Sequence, residues 1–98
     1  MTIGEVIKDL LDRKNISQKD LAGKIGKSTT AVSQIIKGAY QPNPETLEKI
    51  AAVLDIPVAI IHFLTISEEQ IPEDKKQLFK FVAPTMENYI YEIFSMEK

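Results

Sequence analysis

Ser17–Gly38, SQKDLAGKIGKSTTAVSQIIKG, carries the reading on which the rest of the chain depends. Ser17 is placed to cap a short helix from Gln18 to Ile25, its hydroxyl taking an N–H that the first turn leaves unpaired. Asp20 sits where a first-turn carboxylate suits the helix dipole. Leu21 and Ile25, four residues apart, form the inward edge, and Gly26 follows where a left-handed residue ends a helix without a Cβ penalty. One residue later Ser28 can cap a second helix, with Val32, Ile35 and marginally Ile36 facing inward, Lys37 in the last turn and Gly38 beyond it. Two short helices joined this tightly must cross steeply, and the small Ala22 leaves room for the second to approach. That is helix-turn-helix geometry.

The outward face of the second helix presents Thr29, Thr30, Ser33 and Gln34. Glutamine can bond adenine bidentately, serine and threonine hydroxyls serve several bases, and a threonine methyl can meet that of thymine in a major groove. Polarity alone proves little, since any solvent-facing helix is polar. Lys27, together with the backbone N–H groups opening the second helix at Ser28, is suited to a phosphate.

In these residues and their spacing the chain resembles the phage repressor and Cro type of helix-turn-helix, the xenobiotic-response-element family of small regulators. The resemblance spans about Ile3 to Leu64 and rests on Gln18 opening the first motif helix, Ala22 within it, Gly26 at the turn, Val32 and Ile35 as anchors, and a following proline-marked loop and helix. It implies an all-α, five-helix DNA-binding domain. It also implies base contacts from Thr29, Thr30, Ser33 and Gln34, and a phosphate contact from Gln18. Backbone contacts from Lys37, Tyr40, Gln41 and Asn43, in or beside the loop, are implied as well.

Ninety-eight residues suffice for one small core, and the absence of cysteine excludes disulfides and thiolate metal sites. The single histidine lies on an apolar segment, no nucleophile stands beside a base, and no glycine-rich phosphate loop follows a strand, so we expect no enzyme, cofactor or metal site. The apolar runs are much shorter than a membrane span and the start lacks a basic n-region, so a cytoplasmic location is expected. The net charge of −2 at first opposes a polyanionic partner, but it is unevenly spread. Residues 1–41 carry seven basic against four acidic side chains; residues 42–98 carry five against ten. The basic half holds the motif.

Around the motif, Thr2 and Glu5 form a capping box ahead of Ile3, Val6, Ile7, Leu10 and Leu11, predicting a first helix over Thr2 to Lys14 that Asn15 can close. AYQPNP, residues 39–44, must be a loop, because its prolines remove donors and push their predecessors out of the α region. A fourth helix opens at Pro44 or Glu45 with Leu47, Ile50, Ala51 and Leu54 inward, and a fifth covers Val58 to Leu64 with His62 within it. Together with the motif these helices cover residues 1–66, the extent of the DNA-binding domain that the resemblance implies.

Residues 67–98 are expected to form an amphipathic helical tail after a polar connector, with Pro84 kinking or dividing its helix. Phe79, Val82, Met86, Tyr89, Ile93 and Met96 recur at helical spacing, widened by Leu78 and Ile90. Such a stripe needs a cover, supplied by the tail's own domain, a second copy or another protein. We expect a homodimer interface at Phe79, Val82, Met86, Tyr89, Ile90 and Ile93 and, for the whole chain, a sequence-specific repressor of double-stranded DNA. Alternatives are an antitoxin that autoregulates its operon and holds a toxin through the C-terminal helix, and a protein-interaction module that no longer reads DNA.

Overall fold

The computed structural model describes residues 1–96. Six α-helices follow one another: α1 (Ile3–Lys14), α2 (Gln18–Ile25), α3 (Thr29–Lys37), α4 (Pro44–Leu54), α5 (Val58–Leu64) and α6 (Lys76–Ile93). Short 3₁₀ turns at Glu68–Gln70 and Glu73–Lys75 fill the connector before α6.

Local chemistry fixes where these helices start and stop. Thr2 Oγ1 accepts from the Glu5 N–H at 3.1 Å while the Thr2 N–H donates to Glu5 Oε1 at 2.8 Å, the reciprocal box expected from their spacing. Ser17 and Ser28 accept from the Asp20 and Ala31 N–H groups, both at 3.0 Å, and Asn43 Oδ1 accepts from the Thr46 N–H at 2.8 Å. At the far ends Asn15, Gly26, Gly38 and Asp55 adopt left-handed conformations, with φ of 58°, 72°, 79° and 58°.

α1 lies at the centre, packing on α3, α4 and α5, while α2 packs on α3 and α4. Its Val6, Ile7, Leu10 and Leu11 are buried among Leu21 and Ile25 of α2, Val32 and Ile35 of α3, Leu47, Ile50 and Leu54 of α4, and Ile61 and Leu64 of α5. Ile16, just ahead of the Ser17 cap, also packs at the margin of this core.

In the tail, Pro84 lies inside α6, which runs through it undivided. The end of the tail returns to its own domain: Met96 is fully buried in the core, with Ile90, Tyr91 and Phe94 packed against that core. Met96 therefore leaves the outward stripe, and Ile90 is turned largely toward its own domain. The last two residues of the expected tail helix, Glu97 and Lys98, lie outside the described residues.

The end of α1 holds this return in place. The Arg13 guanidinium lies 3.7 Å from the centre of the Tyr91 ring, and its Nη1 donates to the Met96 carbonyl at 3.2 Å. Lys14 Nζ donates to the Phe94 carbonyl at 2.8 Å. Both carbonyls lie beyond Ile93, the last residue of α6, where no further helical turn supplies an N–H, and two cations donate to them instead.

Truncating Met96 to Ala should lower unfolding free energy in urea by about 2 to 5 kcal/mol, as for other fully buried methionines. Burial raises the Tyr91 phenol above its ordinary value, with Asp9 and Glu87 adding to the rise and Arg13 opposing it. The fold therefore favours the neutral phenol, and this contribution is complete below the ordinary value of 10.0 and lost as pH rises through the raised one. In an alkaline titration of stability, Tyr91→Phe should flatten part of the descending limb.

Candidate nucleic-acid interface

A helix can present a reading face only if its other face is held. In α3 the hold comes from Val32 and Ile35, each 1% exposed, while Thr29, Thr30 and Gln34 project to solvent and Ser33 is half-buried beside them. All four polar residues thus occur together on one helix, as their spacing required. No other side chain is bonded to any of them among the described residues.

The backbone-contact candidates surround this helix. Gln18 is the first residue of α2; Lys27 and Ser28 form the turn into α3; Lys37 is the last residue of α3. Tyr40, Gln41 and Asn43 lie in the following loop, all exposed. Capping decides which atoms of Ser28 and Asn43 remain available. Ser28 Oγ is occupied as an acceptor, so its hydroxyl proton is free to donate; Asn43 Oδ1 is likewise occupied, leaving its amide N–H₂. What remains at both positions is a donor, the functionality an anionic oxygen needs.

Gln41 also borders a shallow apolar groove with Ile3, Pro42, Pro44, Leu47, Val58 and the exposed His62. The histidine thus stands at the rim of a groove rather than inside α5's packed face. Glu48 shares that rim.

Ion pairing sharpens the charge picture beyond what counting shows. Lys8 pairs with Asp12 at 2.7 Å and Arg13 with Asp9 at 2.8 Å along α1, so that helix neutralises most of its own charge. Lys14 is engaged by the tail. Lys19, Lys24, Lys27 and Lys37, opposed only by Asp20, carry the positive charge of the motif itself. Lys19 and Lys24 are exposed on α2 and were absent from the candidates drawn from the sequence. The local excess of lysine between Ser17 and Gly38 was the signal that could have included them.

Of the interface candidates on α6, Tyr89 and Ile93 are 61% and 71% exposed and Met86 is 42% exposed. Phe79, Val82 and Ile90 are half-buried. Leu78 and Phe81, at 66% and 83%, extend the exposed apolar face toward the start of the helix. Among the described residues no group of His, Asp or Glu is arranged to hold a metal ion, and no helix is long and apolar enough to cross a membrane.

Comparison with known proteins agrees with this geometry. A helix-turn-helix family model matches residues 7–61, more than half of the chain. The chain is similar to the ImmF control region 10 kDa protein of Bacillus phage phi105, 32% identical over 72 residues that cover 74% of this chain and 77% of that protein. It is also similar to the immunity repressor protein of the same phage, 33% identical over 88 residues, covering 89% of this chain but only 61% of the repressor's length. No solved structure matches the chain significantly. With two capped helices joined by a tight turn, the second anchored by Val32 and Ile35, and the family match all falling on the same residues, the chain belongs to the Cro and repressor type of helix-turn-helix DNA-binding regulators.

Proposed function

We propose that the protein is a sequence-specific transcriptional repressor that binds double-stranded DNA as a homodimer, with α3 in the major groove. The observation that carries this reading is the division of α3 into a buried edge, Val32 and Ile35, and a free polar face, Thr29, Thr30, Ser33 and Gln34. Short polar groups on a rigid helix suit base edges, whereas the lysines beside them suit phosphates. The phage immunity repressor and control-region protein to which the chain is similar support repression as the outcome of binding. Neither supports the antitoxin alternative, which is set aside.

In this reading Gln18, Lys27, Ser28, Lys37, Tyr40, Gln41 and Asn43 orient the protein on the backbone, with Lys19 and Lys24 adding to the field. Homodimerisation is assigned to the outward face of α6. Leu78, Phe81, Tyr89 and Ile93 form an apolar face of a kind that isolated monomers rarely leave uncovered. A dyad-related pair of chains is also what reading two half-sites about 34 Å apart requires. Residues 1–66 then act as the reading unit and residues 67–98 as the assembly segment, tied to it through Met96 and Arg13.

On a duplex selected from a random pool, Gln34→Ala should relax discrimination at one or two base positions by about 1 to 3 kcal/mol. Lys27→Ala should instead weaken binding to all sequences and lower the salt slope by about 1; equal affinity of both variants and wild type would place the reading surface elsewhere. Light scattering should give the mass of two chains for wild type and of one chain for the Tyr89→Glu, Ile93→Glu double variant, with unchanged helical circular dichroism. A monomeric wild type would remove α6 from the assembly role.

A further inference from the structure

Gly4 occupies the first turn of α1 and is buried. A Cβ built there would lie 2.4 Å from the Ile36 carbonyl oxygen, 2.6 Å from that of Ile35 and 2.8 Å from the Ile36 carbonyl carbon. Carbon and oxygen meet comfortably at about 3.3 Å, so a methyl group would require about 1 Å of retreat. All three obstacles are backbone atoms in the last turn of α3, and no side-chain rotation relieves them. The helix itself must move.

We infer that Gly4 is a positioning residue for DNA reading: its missing side chain sets how far the C-terminal end of α3 is seated into the domain, and therefore how far its outer face projects. The inference rests on the proposal that α3 is the reading helix. Both partners in the contact are independently fixed. The Thr2–Glu5 capping box holds the first turn of α1, and Val32 and Ile35 hold the inner edge of α3. A side chain at position 4 pushes outward on one end of α3 while its buried edge resists, so α3 tilts. Ser33 and Gln34, close to the pushed end, move more than Thr29 and Thr30 at the other.

Gly23 provides the control. It lies in the exposed middle of α2, and a Cβ there meets nothing within 4 Å. Gly23→Ala should raise Tm, because alanine is the better helix former and has space. Combined with Gly4→Ala, it adds stability at a distance without restoring the seat of α3, which separates folding from positioning.

The test uses the full chain and a duplex selected by wild type from a random pool, with every single-base variant of that duplex and an unrelated duplex as competitors. Affinity of Gly4→Ala for the selected duplex should fall about ten- to a hundredfold, the worth of one good base contact, with affinity for the unrelated duplex within about twofold, because phosphate contacts tolerate small shifts. Discrimination should be lost most at the base positions that Gln34→Ala and Ser33→Ala also affect. The Gly4→Ala, Gly23→Ala double variant, assayed well below its own Tm, should keep this altered profile. A double variant with the wild-type profile overturns the inference while leaving the reading helix in place. A Gly4→Ala chain that stays unfolded even with Gly23→Ala also overturns it, since Gly4 would then be needed for the fold alone. If wild type itself selects no sequence, the proposed function fails and this inference with it, a result seen before any variant is made.

Discussion

The seating of α3 on α1 is the constraint from which the remaining geometry follows. Val32 and Ile35 enter the core beside Val6, Ile7 and Leu10, and the last turn of α3 comes against α1 backbone to backbone at Gly4. Apolar burial supplies the attraction; the absence of a side chain at position 4 sets the distance. Burial alone would allow a helix to rock about its apolar edge. A hard contact at one end removes that freedom, so the direction in which Thr29, Thr30, Ser33 and Gln34 project is defined by the fold and not by the ligand.

The same economy governs charge. α1 pairs Lys8 with Asp12 and Arg13 with Asp9, and spends Arg13 and Lys14 on the carbonyls of the returning tail. Those cations therefore serve the monomer. Among the described residues the lysines of α2 and α3 have no such engagements, and they carry the field that a phosphate backbone would meet. A protein with net charge −2 can thus offer a basic surface, because its acids are concentrated beyond residue 41. The exposed pairs contribute little to stability, whereas Met96, fully buried, contributes as a core residue does.

Much of this was legible in the sequence because it is written in local chemistry. Caps at Thr2, Ser17 and Ser28 and left-handed closures at Asn15, Gly26 and Gly38 depend on residues a few positions apart, and α1, α2 and α3 start and stop where those residues predict. The buried edge and free face of α3 followed from spacing in the same way. The tail was read less well. Its apolar stripe is periodic throughout, but periodicity does not say what covers each turn; the separation of Arg13 from Tyr91 and Met96 is some 80 residues, beyond any local pattern. Gly4 shows a further limit. A glycine in the first turn of a helix looks like an ordinary weak helix former, and only the approach of α3, more than 30 residues away in sequence, gives it a purpose.

The central claim is that the outer face of α3 is the surface that meets DNA. Titrating the labelled protein with a duplex it has selected, while following backbone and side-chain amide resonances, tests this most directly. The account predicts the largest shifts at Thr29 to Gln34, with the side-chain amide of Gln34 among them, and smaller ones at the starts of α2 and α4. Shifts centred on α5 and α6 with α3 unperturbed would contradict it.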